Sequence, residues 1–218
     1  SFESSVIYWA EGKSDTIEIA GDGLNKVKYK SSNPSVASID KKGKLTAHGR
    51  GTVTITATSG SFKDTCKVKV ISQDAYVDKY CEGTAKLIKA LYSNTQDRLV
   101  CASEIFVKEY KFDSKVTKPI DVVWRGRGTS YSAGVILAKI CQKMGYEAQV
   151  RYYGYDDPTI YPSMFIVMPS ENAYNVQVKA DGKTYLIESR PQSHFIYIND
   201  GKQLIRAWTD YFSDEWQS

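Results

Sequence analysis

Apolar and polar residues alternate in short runs from the start of the chain to residue 72. The runs are 6–9, 16–19, 26–29, 36–39, 44–47, 52–57 and 66–71. Turn formers separate them: Gly21-Asp22-Gly23, Ser32-Asn33-Pro34, Lys42-Gly43, Gly49-Arg50-Gly51 and Ser59-Gly60. Period-two runs of this length with such turns predict a β-sandwich. Past a short boundary at 72–74 the period changes. Residues 76–92 place Val77, Tyr80, Cys81, Leu87, Ile88 and Leu91 on a broad apolar side, which predicts a helix. Ser93-Asn94-Thr95 offers a cap for a second helix carrying Leu99, Ala102, Ile105, Phe106 and Tyr110. Residues 111–123, with Pro119, read as a connecting stretch. A turn at Gly126-Arg127-Gly128 then opens a helix with the stripe Ala133, Ile136, Leu137, Ile140, Cys141 and Met144. Gly145 stops it.

Strands are expected at 149–153, 164–168, 174–178, 185–187 and 195–198, with Asp181-Gly182 as a two-residue hairpin turn. Residues 152–162 read as an aromatic loop, serving either as a ligand rim or as simple packing. Residues 201–218, with Trp208, Tyr211, Phe212 and Trp216, read as a helix packing back. Helices followed by antiparallel strands make an α+β domain. The chain therefore reads as two domains, 1–72 all-β and 73–218 α+β.

Composition narrows the function classes. No stretch approaches the ~18 apolar residues of a membrane helix. The net charge of +4 is spread along the chain, without the basic stripe of a nucleic-acid binder. No cluster at metal-ligand spacing is seen, and His48 reads as a solvated turn residue, so no metal or cofactor is expected. The cysteines Cys66, Cys81, Cys101 and Cys141 read as buried thiols, with a Cys81–Cys101 bridge left open. Sixteen tyrosines suit either a binding surface or ordinary β-structure. The chain begins without Met, as a mature or trimmed fragment would.

Two resemblances follow from particular residues. The stretch 31–40 (SSNPSVASID), then Gly43-Lys44-Leu45-Thr46-Ala47 and 51–57 (GTVTITA), resembles the bacterial immunoglobulin-like group 2 family. That resemblance implies an extracellular or surface module of a bacterial protein. Gly128-Thr129-Ser130, with Gly145 further on, resembles the helix entrance of the transglutaminase-like, papain-like cysteine family. Residues 172–188 align with its histidine strand, hairpin and aspartate strand. The cysteine position then holds Ser130, the histidine position Ala173 and the aspartate position Glu188.

These replacements bear on chemistry. A thiol at a helix N-terminus ionises readily, but a serine hydroxyl needs a general base. Ala173 supplies none, and losing both groups should cost on the order of 10⁶ in rate. An engineered Cys→Ser change would account for Ser130 but not for Ala173. A displaced base at His194 is the enzymatic alternative, making the protein a hydrolase or acyltransferase through Ser130. The bland reading of Ser130 is a helix N-cap. The favoured function is a non-catalytic surface protein whose old cleft binds a peptide, glycan or cell-wall polymer. Tyr131, Tyr174, Tyr153, Tyr155 and Tyr161 are its candidate contacts. A purely architectural spacer is the third reading.

Overall fold

The structure is a computed structural model describing residues 1–19, 26–153, 173–188, 195–199 and 204–208. The chain divides into two compact units, Ser1–Tyr76 and Val77–Ser218.

In the first unit β1 (Val6–Ala10), β7 (Phe62–Ile71), β6 (Gly51–Ser59) and β3 (Lys28–Ser31) form one sheet in that order. Strands β2 (Ser14–Thr16), β5 (Lys44–Ala47) and β4 (Ala37–Ile39) form the second. Strict alternation decides which side faces inward. Val53, Ile55 and Ala57 of β6 and Cys66, Val68 and Val70 of β7 are buried, as are Leu45 and Ala47 of β5. Each large aliphatic side chain buried this way stabilises the sandwich by roughly 1.5–3 kcal/mol. Between β4 and β5 the Asp40 carboxylate accepts from the backbone N–H of Lys42 and Lys44 at 2.8 and 2.9 Å. Those bonds, that to Lys44 foremost, hold its pKa below the usual carboxylate value. The run at 16–19 is not one strand: β2 ends at Thr16, and Ile19 makes only an isolated bridge to Phe2. His48 is exposed in its turn, with Nε2 2.7 Å from Ser38 Oγ.

The second unit is organised around α4 (Ser130–Met144), which follows α1 (Gln73–Leu91), α2 (Thr95–Glu109) and α3 (Pro119–Arg125). All six residues of the expected α4 stripe are buried, and so are Ser132, Gly134 and Ala138. This helix packs on β10 (Glu147–Tyr153) and β11 (Ala173–Ala180) and touches α2 and α3. With β12 (Lys183–Glu188), β13 (Phe195–Asn199) and β14 (Leu204–Trp208), these strands make an antiparallel sheet in chain order. The pairs Val176↔Ile187 and Val178↔Tyr185 of the β11–β12 register are buried, and so are Asn175 and Leu186. Asp181 and Gly182 have φ of 51° and 70°, the two positive values a type I′ turn requires.

Several expectations are corrected. On α1 the buried residues are Val77, Cys81, Ala85 and Ile88, four residues or three apart; Leu87 lies off that line, Leu91 continues it only at the helix's last residue, and both are exposed. The stretch 111–123 holds a short β8 (Lys111–Phe112) and the start of α3, with Pro119 at the first helical position, where a missing N–H costs nothing. Residues 204–208 of the tail form a strand rather than a helix, fixed by pairing with β13. Tyr152 and Tyr153, read both as the end of a strand and as the start of the aromatic loop, belong to β10. Cys81 and Cys101 are both free, so there is no bridge between them, and Cys101 is only half-buried. The expected strand at 164–168 lies outside the described residues.

Candidate functional site

The approach to α4 is fixed by hydrogen bonds before any side chain of the site is placed. Strand β9 (Arg127–Gly128) pairs with β8 in parallel. Gly126, at φ 60°, caps α3. The Gly128 carbonyl accepts from the Asp113 N–H at 2.8 Å and from the buried Tyr110 hydroxyl. Burial and then Asp113 push the Tyr110 phenol well above its ordinary pKa, so it stays a donor. Thr129 N–H donates to Val116 O at 3.1 Å. A Cβ on Gly128 would stand 2.5 Å from Ser132 Oγ and 2.7 Å from Val122 Cγ2. Close approach, rather than an unusual backbone angle, is what requires glycine here.

Thr129, not Ser130, is the N-cap of α4: its Oγ1 accepts from Ser132 N–H at 3.2 Å. Ser132 Oγ in turn donates to Thr129 O at 2.9 Å. The first bond satisfies one of the orphan N–H groups of the first turn, and the second ties the Ser132 hydroxyl back to the cap residue. Ser130 is the first helical residue and is 6% exposed. At the other end Gly145 takes φ 101°, as the left-handed cap expected there.

Beside the first turn stands an aromatic group. Tyr131 and Tyr174 meet edge to face at 5.1 Å, and Tyr174 and Tyr152 meet at 5.5 Å. Tyr152 and Tyr174 are direct partners in the β10–β11 register, which is why the rings stack side by side. Tyr131 is 49% exposed and Tyr152 56%. Tyr131 and Tyr174 were candidate contacts from the sequence. Tyr152 was missed as a contact because its pairing with Tyr174 is set by the register of β10 on β11, which neither strand states alone.

Ala173 pairs with Tyr153 at the end of β11, and Glu188 pairs with Asn175 at the end of β12. Asn175, 1% exposed, is a buried polar residue at this end of the β11–β12 register. Tyr155, Tyr161 and His194 lie outside the described residues. The sequence holds two histidines, and the described one, His48, is in the first unit. Among the described residues no group of three His, Cys, Asp or Glu could hold a metal ion. No helix of the described residues is long and apolar enough to cross a membrane. Cys81 and Cys141, behind the site on α1 and α4, are held by burial at thiol pKa values of about 12. Neither is poised as a nucleophile.

The two sheets of the first unit define an immunoglobulin-like β-sandwich. Residues 19–61 match the family described as "Intimin, immunoglobulin-like domain". The chain is similar to several solved structures over parts of its length. A mutant of intimin from EHEC O157:H7 is 28% identical, covering 45% of this chain and 54% of that one, with a TM-score of 0.26. A GH10 xylanase with a bacterial Ig-like domain, from termite gut, is 23% identical over 30% of this chain and 18% of its own, at 0.27. Domains 4 and 5 of the S-layer protein SbsC are 18% identical over 33% and 50%, at 0.28. This chain thus spans 18% to 54% of the length of these three. No curated protein matches it.

Proposed function

We infer that this is a non-catalytic extracellular module of a bacterial surface protein. An immunoglobulin-like unit of the group 2 kind is joined to a degenerate transglutaminase-like unit that binds a peptide, glycan or cell-wall ligand. The observation that carries the reading is the Tyr131–Tyr174–Tyr152 group: three rings in contact, two of them about half exposed, at the mouth of a buried helix start. Exposed tyrosines give large, rigid contact area at low entropic cost. Supporting it are the glycine turn, the helix with its closing glycine and the strand–hairpin–strand that follows. The chemistry is what the unit lacks: a serine replaces the family's thiol and alanine its imidazole, so the histidine position supplies no base and Glu188 has no imidazole to orient. The surface location rests on the immunoglobulin-like match at 19–61.

The test pairs two measurements on the full chain. Peptide and wall-glycan panels are screened for binding, and Tyr174→Ala and Tyr131→Ala should lose a bound ligand by tenfold or more (about 1.4 kcal/mol). A serine-reactive fluorophosphonate is applied in parallel. Labelling of Ser130 would overturn the non-catalytic reading, and unchanged affinity in both tyrosine variants would remove the site.

A further inference from the structure

The outer face of the β1-β7-β6-β3 sheet is a second surface, on the other unit, and its side-chain pattern is regular. Residues directly opposite in register share a face. The register Lys28↔Thr58↔Lys63, Lys30↔Thr56↔Thr65, Thr54↔Lys67 and Thr52↔Lys69 therefore sorts this face into columns. Strand β6 contributes Thr52, Thr54, Thr56 and Thr58. On one side of it β3 contributes Lys28 and Lys30. On the other side β7 contributes Lys63, Thr65, Lys67 and Lys69. Beyond them, on β1, Tyr8 lies under Lys69, with Nζ 5.6 Å from the ring centroid.

No carboxylate interrupts these columns. Asp64 falls on the alternate set, opposite Ala57, and its carboxylate accepts from Phe2 N–H at 2.7 Å. Lys28, Lys30, Lys63 and Lys67 are exposed, and none of them is in an ion pair among the described residues. Neighbouring strands are ~4.8 Å apart and outward positions along a strand repeat every ~7 Å. The lysine columns thus stand about 10 Å apart as two rails, with a floor of short hydroxyl side chains between them.

We propose that this face binds a linear polyol-phosphate polymer lying along β6. Ammonium groups from both rails pair with successive phosphates as point charges. The threonine hydroxyls of the floor donate to phosphate and polyol oxygens. A polymer with one phosphate per short polyol unit spaces its charges on the scale of the strand repeat. The outward positions of β3, β6 and β7 named above carry no large apolar side chain; Val6, opposite Lys67 and 39% exposed, and Tyr8 stand only at the β1 edge, so the middle of the face along β6 offers a folded protein no pocket to fill. An extended, flexible, charged chain needs none.

The probe is poly(glycerol phosphate), titrated against the full chain at low and at physiological salt. Binding should weaken as salt rises, because ammonium–phosphate pairs release counterions. The variant K28Q/K30Q/K67Q/K69Q should bind more weakly by about tenfold or more, at a few-fold per exposed charge pair. The variant K13Q/K41Q/K42Q/K44Q removes the same charge elsewhere on the unit and should bind as the parent does. Should the quadruple rail variant fail to fold, K28Q/K30Q and K67Q/K69Q each read one rail. No binding at low salt overturns the proposal, as does equal loss in the charge-matched control. Equal affinity for dextran sulfate of matched charge density overturns the assignment to phosphate.

Discussion

Replacing Gly128 with alanine tests the packing that aims α4. The added Cβ would lie 2.5 Å from Ser132 Oγ, 2.7 Å from Val122 Cγ2 and 3.4 Å from Val116 O. Neither near neighbour can simply swing away. Ser132 is fully buried and its hydroxyl is tied to Thr129 O at 2.9 Å, so rotating it gives up a bond of about 1 kcal/mol. Val122 is β-branched, stiff at χ1 and 6% exposed on α3. Gly128 itself is tethered through its carbonyl to Asp113 and Tyr110, so its backbone does not yield freely. Overpacking of this kind costs about 1–3 kcal/mol, and the two contacts together put G128A in the upper half of that range. Urea unfolding followed by the helical circular dichroism signal reads the second unit, because α2, α3 and α4 all lie within it. The double variant V122A/G128A should be less destabilised than the sum of the single changes, since V122A removes one clashing methyl. A G128A midpoint equivalent to less than about 0.5 kcal/mol of change would refute the packing argument.

Four further outcomes follow from the geometry. Thr129→Ala removes the α4 cap and should cost about 1 kcal/mol in the same urea assay. Cys81 and Cys141, raised from 9.0 to about 12, favour the protonated thiol in the fold. Their contribution is complete below pH 9 and is lost as pH climbs towards 12, so midpoints should fall across that window and fall less in a C81A/C141A variant. At neutral pH a thiol reagent should modify half-buried Cys101 first and leave Cys66, Cys81 and Cys141 unmodified until unfolding. The Asp78–Lys139 pair, 2.6 Å long but with side chains 47% and 37% exposed, should lose well under 1 kcal/mol on D78N once solvent screening is allowed for.

What the sequence made legible was set by local rules. Alternation put Cys66, Val68 and Val70 inward and the lysines outward, and the sandwich follows from it. The α4 stripe, the Gly145 stop and the Asp181-Gly182 turn are each decided within a few residues. The misses lie where a partner distant in sequence decides. Strand β14 exists because β13 pairs with it, and nothing in the spacing of its own residues says so. The aromatic group needed the Tyr152↔Tyr174 register. Thr129 and Ser130 are both plausible caps by type, and the backbone conformation at 129, extended at φ −81° and ψ 162°, chooses the first. On α1 the count of apolar residues outran the face, since Leu87 lies off the buried line and Leu91 is the helix's exposed last residue.

The parallel pairing of β1 with β7 has a mechanical meaning. Val6–Ala10 runs alongside Lys67–Ile71 in the same direction, so the polypeptide comes into this sandwich at one pole and leaves it at the other. Tension applied along the backbone drags the two strands past one another. Every ladder bond between them is then loaded in shear at once, instead of being peeled apart singly from an end. A sandwich strung in this way resists stretching most strongly along the axis on which a chain fixed at both ends would be pulled.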